Sequence, residues 1–407
     1  MEKITIERLG HQGDGIAPGP IFVARALPGE VIQGVIENGR IATAKIITPV
    51  PERVRPACRH YKNCGGCSLQ HASDEFVKNW KKNVVETALQ AQGLPAPIRG
   101  IHTSPSNARR RATLAARRLK KGAQVGFYGL KSDTISEIDD CRLLRPELLR
   151  LLPLVGDFAQ IGASRKARLA VTLTLLDDGV DIAVKGGKPM TRALFTELTD
   201  LARQAGQVAR LSWEGDVIAS FSKAELALGR AKVSPPPGAF LQATQDGERA
   251  LLAAVKRAVG PAKHIADLFA GSGTFALPLA EGASVHAVEG SSEMTKALSA
   301  GWRGATGLKA VTTETRDLFA RPLLPDELQK FDAVVIDPPR AGAEAQVSEL
   351  AKTQIGRITL VSCNPVTFAR DARILTEAGF NIDWIEVVDQ FRWSQHVEVV
   401  ASLSRGK

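Results

Sequence analysis

No apolar run in this chain approaches the ~20 residues that a membrane-spanning helix needs, so no membrane segment is expected. The opening residues, MEKITIERLG, lack the apolar core of a secretory signal, which makes the cytoplasm the expected compartment. Cysteine is scarce, five in 407 residues, and its pattern does not suit a disulfide framework. Internal repeats and low-complexity tracts are also missing, which argues against a repeat architecture.

What remains is an ordinary globular composition, 44% hydrophobic and 24% charged, in a chain long enough for two or three domains. A net charge of +10 points to a polyanionic partner, although a basic protein without any nucleic-acid role would show the same total. Residues 109–121, RRRATLAARRLKK, gather Arg109, Arg110, Arg111, Arg117, Arg118, Lys120 and Lys121. Such a strip could neutralise several phosphates, and a merely solvated face would look alike.

The first ~50 residues alternate short strand patterns with turn chemistry (GDGIAPGP), as a small OB-type β-barrel does. In DEFVKNWKKNVVETALQAQG, Phe76, Val77, Trp80, Val84 and Ala88 recur at helical spacing until Gly93 and Pro95. LAVTLTLLDDGVDIAVKG predicts a hairpin turning at Asp178-Gly179. Pro235-Pro236-Pro237 then marks a domain boundary. Beyond residue 240, IADLF, VHAVE, DAVVID and ITLVS read as buried parallel strands of an open α/β sheet. Ligands of such sheets bind at the carboxyl ends of the strands.

In IADLFAGSGTFALPLA a strand enters Gly271-Ser272-Gly273 and a helix is expected from about Thr274. The next strand ends in Glu289, placed to accept hydrogen bonds from ribose hydroxyls. Asp267 stands four residues before Gly271, where it would hinder a dinucleotide pyrophosphate. S-adenosylmethionine carries a cationic ammonium and sulfonium instead, and is favoured over NAD.

FDAVVIDPPRAG sets Asp337 at a strand end, and RITLVSCNP does the same for Cys363. A lone cysteine is ordinarily inert and buried, but one beside a cofactor loop is better read as a nucleophile. HVEVVASL alternates, with His396 and Glu398 on one face. A glutamate inside a β-run is costly unless solvated or functional.

Taken in order, PPGAFLQAT, DLFAGSGTFALPLA, VEG, DPPRAG, SCNP and SQHVE resemble the RNA uracil-5-methyltransferases over essentially the whole chain. The likeness is greatest to the RumA-type 23S ribosomal RNA branch. It implies an α/β protein with a Rossmann-like class I methyltransferase domain over 237–407, which would use S-adenosylmethionine. An OB/TRAM-like β-barrel over 1–52 and a central α+β iron–sulfur domain over 53–236 would precede it, with a helix at about 74–93 packing on the catalytic domain. By position, Cys363 would add to carbon 6 of uracil and Glu398 would accept the proton of carbon 5. Gln242 and Asp337 would bind in the shared substrate–cofactor pocket, supported by Arg340. Phe269, Thr274, Glu289 and Asp317 would hold S-adenosylmethionine, with Thr274 standing where many relatives carry Asn. The target base would have to leave its stack.

Cys58, Cys64, Cys67 and Cys141 are spaced C-x5-C-x2-C with a distant fourth, a pattern open to zinc or an iron–sulfur cluster. The resemblance of CRHYKNCGGCSLQH implies a [4Fe–4S] cluster, with a structural rather than redox role expected. The resulting expectation is a monomeric enzyme, needing no protein partner, that forms 5-methyluridine in 23S ribosomal RNA. Transfer RNA methylation and non-catalytic RNA binding are the alternatives. A DNA cytosine-5 methyltransferase would carry a Pro-Cys nucleophile, and a thiol–disulfide oxidoreductase would need a cysteine pair beside Cys363.

Overall fold

Strand-forming, β-branched runs separated by amphipathic helices dominate the C-terminal part of the chain, and they assemble into an eight-stranded sheet. The computed structural model describes residues 2–405. The sheet order is Val311–Thr315, Ser284–Glu289, His264–Leu268, Ala333–Ile336, Arg357–Ser362, Glu398–Arg405, Phe380–Asp389, Ile98–Thr103. The chain starts at the central strand His264–Leu268, runs outward to Val311–Thr315, then returns to the other side at Ala333–Ile336. That reversal creates a crevice at the carboxyl ends of the strands. Glu398–Arg405 runs antiparallel, with Ser362 opposite Val399, so its first residue lies at the same edge. The apolar strand faces are covered on both sides, one core including Leu251, Val255, Phe275 and Leu298, the other Val347, Phe368, Leu375 and Val85.

A seven-stranded sheet is formed between residues 111 and 220, with Leu169–Leu176 and Gly179–Lys185 as the hairpin that Asp178-Gly179 foretells. Upstream, two small sheets within residues 2–48 close around Ile6, Ala17, Val23, Ile32 and Ile41. The helix Asp74–Gln90 starts where the Ser73 hydroxyl accepts from the Phe76 N–H. It packs Val77 and Trp80 under the N-terminal sheets, and Val85 and Leu89 against the large sheet's core beside the helix Pro365–Glu377. Among the described residues no helix is long and apolar enough to cross a membrane.

The arginine strip, open from sequence to either a phosphate-binding or a merely solvated reading, is not one continuous exposed surface. Arg110 is 7% exposed, donating from Nη2 to Glu248 Oε2 at 2.5 Å and from Nε to the Gln242 carbonyl at 3.1 Å. Arg111 donates to the Gly238 carbonyl at 3.2 Å, and the Arg109 guanidinium lies 5.5 Å from the Phe391 ring centre. Strand pairing turns Arg110 and Arg111 toward the irregular chain at 238–244, whose carbonyls need donors, and toward Glu248 in the first turn of the helix that follows. Only Lys120 and Lys121 of the seven are fully exposed. Arg110→Met therefore should cost about 3–5 kcal/mol by stranding Glu248, whereas Lys121→Met should change stability by less than about 0.5 kcal/mol; urea denaturation of the two variants measures both.

Candidate active site

The chain leaves the strand His264–Leu268 through Phe269, held at φ 62°, a left-handed backbone rarely adopted by an aromatic residue. Gly273 takes φ 100°, and a side chain there would press within 2.9 Å of Leu277 and Leu298. The helix that follows is a single turn, Ala276–Leu279, shorter than the sequence pattern suggests. Gly282 then turns the chain toward Ser284–Glu289. Glu289 braces the loop: its Oε2 accepts from the Gly271 N–H at 3.0 Å and its Oε1 from the Ser291 N–H at 2.9 Å. Asp317 accepts from the Phe319 N–H at 2.9 Å, and Phe319 meets the Phe269 ring at 5.4 Å. Phe269, Glu289 and Asp317 thus surround one loop, with Thr274 half-buried within it.

Acidic groups crowd the neighbouring strand ends. Asp267 is fully buried, below the crevice rather than at its mouth. Neither of its oxygens makes a well-formed hydrogen bond, and burial with the Asp337 charge holds its carboxyl well above the usual range. Asp337 is partly reachable from the crevice yet surrounded by protein, and desolvation pushes its carboxyl up to about 7. Glu398 is 3% exposed and raised well above the usual range by burial and by Asp337, against the counterweight of Arg340.

Cys363 stands between the strand Arg357–Ser362 and the helix Pro365–Glu377, which explains its neighbours. Asn364 caps that helix by accepting from the Val366 N–H at 3.1 Å, while its Nδ2 donates to the Arg340 carbonyl at 2.9 Å. Pro365 suits the first helical position, where no N–H is needed. Burial, then the charges of Glu398 and Asp337, push the Cys363 thiol up to about 11, and Arg340 opposes them. At neutral pH the free protein therefore holds a thiol. The carboxylates disfavour negative charge on sulfur, so a cation bound among them would favour the thiolate.

Gln242 is buried, and its Oε1 accepts from Gln390 Nε2 at 2.6 Å. His396 precedes the strand that begins at Glu398, instead of sharing its alternation, and its Nδ1 meets an Arg340 Nη2 at 2.5 Å. Three participants escape the sequence reading: Gln390, Lys81 and Asp389. Lys81 is 0% exposed and bonds Asp389 Oδ1 at 2.5 Å. One signal was available, since Lys81 lies midway between Val77 and Val85 at i,i+4 spacing, a lysine on an apolar stripe.

Cys58, Cys64, Cys67 and Cys141 line one cavity of about 380 Å³, together with Arg109, Ser394, Gln395 and His396. All are free thiols, and Cys67 is pushed up to about 12 by burial and by the other three. Cys64 and Cys141 are raised chiefly by burial, with Cys58 adding to both. Among the described residues no set of three or more His, Cys, Asp or Glu is grouped closely enough to hold a metal ion. Four sulfur donors lining one cavity are of the type that suits a soft metal centre, whose binding would deprotonate them.

An open α/β sheet with a glycine loop at the carboxyl ends of its strands is a nucleoside-cofactor-binding architecture, and its acidic strand ends suit a cationic cofactor. The tRNA (Uracil-5-)-methyltransferase family model matches residues 311–406. An uncharacterized RNA methyltransferase of Brucella suis is 42% identical over 413 residues, covering 100% of this chain and 98% of that protein. The 23S rRNA (uracil(1939)-C(5))-methyltransferase RlmD of Halomonas elongata is 32% identical, over 97% of this chain and 88% of that protein. The solved Pyrococcus abyssi tRNA (uracil-54, C5)-methyltransferase in complex with S-adenosyl-L-homocysteine shares the fold, with a TM-score of 0.78, 24% identity, and coverage of 98% and 99%. The chain belongs to the RNA uracil-5-methyltransferase family. That membership supports S-adenosylmethionine as methyl source and RNA as partner.

The raised Asp337 carboxyl has a signed consequence. Folded, it keeps until about pH 7 a proton that the unfolded chain releases near 3.8, so its contribution falls as pH rises through that window. Asp337→Asn should stabilise the free protein at pH 8 by about 1–3 kcal/mol after solvent screening, with little effect near pH 3. The same change should speed alkylation of Cys363 at pH 8 by about threefold, corresponding to about half a pKa unit. Thermal melts and peptide mass spectrometry of the alkylated protein give the two readings.

Proposed function

We propose that this protein methylates carbon 5 of a specific uridine in 23S ribosomal RNA, through a covalent adduct between Cys363 and carbon 6. The observation carrying this reading is the meeting of Cys363, Asp337, Glu398 and Arg340 at one sheet edge beside the glycine loop. The 32% identity to the Halomonas elongata enzyme over nearly the full chain supports 23S RNA as the target.

Carbon 5 of uracil is a weak nucleophile. In this reading the Cys363 thiol gives up its proton to solvent, a loss that Arg340 favours, and the thiolate bonds to carbon 6 and makes carbon 5 electron-rich. S-adenosylmethionine, when bound, supplies the electrophilic methyl group. Glu398 then takes the proton from carbon 5, the bond from sulfur to carbon 6 breaks, and the thiolate is regenerated. Its raised pKa makes Glu398 a capable proton acceptor once ionised. Asp337 and Gln242 hold the base and the cofactor's charged end, while Phe269, Thr274, Glu289 and Asp317 hold the remainder of S-adenosylmethionine.

The same reading divides the chain into a TRAM/OB-like barrel at 1–52, a central domain at 53–236 and the catalytic domain at 237–407. Cys58, Cys64, Cys67 and Cys141 would hold a [4Fe–4S] cluster, an assignment supported by their shared cavity and the half-buried Arg109 in its wall, a counter-charge for an anionic cluster. Protein purified without oxygen should contain about four iron atoms per chain and lose them in Cys67→Ser. Stoichiometric zinc instead would replace the cluster assignment.

The decisive test uses RNA carrying 5-fluorouridine, in which fluorine replaces the proton that Glu398 would remove. With S-adenosylmethionine, a 23S fragment should stay bonded to the protein on a denaturing gel, and Cys363→Ala should abolish the band. An adduct with transfer RNA alone would transfer the activity to that substrate. Tight binding of both RNAs without any adduct would overturn the covalent reading.

A further inference from the structure

We propose that Lys81 is a positioning residue for the reaction, pinning the loop that presents Glu398; this rests on the function proposed above. Lys81 belongs to the helix Asp74–Gln90, far from the catalytic strands in sequence, and touches neither Cys363 nor Glu398 by any hydrogen bond. Its ammonium is completely buried and donates to three acceptors: Asp389 Oδ1 at 2.5 Å, the His396 carbonyl at 2.9 Å and the Phe391 carbonyl at 3.2 Å. Asp389 ends the strand Phe380–Asp389, and the other two acceptors lie on the connection from it to the strand Glu398–Arg405.

The register makes this connection consequential. Val388 pairs with Glu398, so Asp389 and His396 flank the two ends of the loop that this pair closes. One ammonium bonded to both ends fixes how Glu398 leaves the loop and enters the sheet. The same bond reaches His396, whose ring meets Arg340, the cation that faces Cys363 and Glu398. A buried ion pair is a poor source of net stability compared with apolar residues of similar size. The position otherwise sits on an apolar stripe, between Val77 and Val85. Geometry at the loop, rather than stability, is what a lysine adds there.

The glycine loop has separate supports, Glu289 and the Ser291 N–H, so two kinds of loss can be told apart. In Lys81→Met the kcat should fall about 100-fold, the scale of a misplacement of about 1 Å, while S-adenosylhomocysteine affinity stays unchanged. The covalent intermediate on ordinary 23S RNA should accumulate on denaturing gels, as it should in Glu398→Gln. Because Lys81→Met leaves Asp389 buried without its partner, the charge-free pair Lys81→Met/Asp389→Leu is measured beside it. That double variant should melt near the wild type yet keep the low kcat and the accumulated adduct.

Wild-type kcat in the folded double variant would overturn the proposal. So would a parallel loss of adduct, cofactor binding and melting temperature in both variants, which is the pattern of a purely structural lysine. If instead Glu398→Gln traps no adduct and Cys363→Ala still methylates, the proposed function itself fails, whatever the Lys81 variants do.

Discussion

Three carboxyl groups enclosed at one sheet edge are the constraint around which this protein is organised. Asp267, Asp337 and Glu398 are each poorly solvated, and the Asp337 charge raises the other two. Protein that surrounds like charges loses stability unless a proton or a cation joins them. Buried strands hold the groups together regardless, because His264–Leu268, Ala333–Ile336, Arg357–Ser362 and Glu398–Arg405 are successive neighbours in register. The outcome for Cys363 follows directly. Burial and the charges of Glu398 and Asp337 push its thiol up, and the Arg340 guanidinium opposes them.

Holding that edge in shape requires upstream chain, which is joined to the large sheet through buried charge. Lys81 meets Asp389, and Arg110 meets Glu248 at the start of the helix Gln245–Val259. Within the seven-stranded sheet Arg210 bonds Asp181 at 2.6 Å and also the Pro235 carbonyl at 2.7 Å, so the chain entering the triproline is tethered as well. Each pair satisfies irregular backbone that apolar packing alone would leave without donors. These contacts confer orientation on the pocket more than they add stability.

Strand identity, and with it the convergence of strand-end residues, was readable from sequence because it depends on local pattern. The runs IADLF, VHAVE, DAVVID and ITLVS needed only apolarity and a turn after them, and the residues following three of them met at the edge. Buried polar partners were not readable, since each depends on a contact across the fold. Gln390 meets Gln242 and Lys81 meets Asp389 only after the sheet has formed. The arginine strip was ambiguous for the same reason. Counting charge cannot tell that Arg110 faces Glu248 while Lys121 faces solvent.

The segment 389–396 is where the cysteine-lined cavity and the catalytic edge meet. Trp393 takes φ 59°, a strained backbone whose cost is about 1–3 kcal/mol. Its carbonyl accepts from the Ser68 N–H at 2.8 Å and the Leu69 N–H at 2.9 Å, immediately after Cys67. Gln395 receives the Ser68 hydroxyl, and Ser394, Gln395 and His396 form part of the cavity wall. On its other side the segment contributes the His396 contact to Arg340 and leads into Glu398. Order among the four cysteines and order at the catalytic edge are therefore properties of one short stretch of chain. The backbone just after Cys67 and the backbone that leads into Glu398 are joined by direct hydrogen bonds through Trp393.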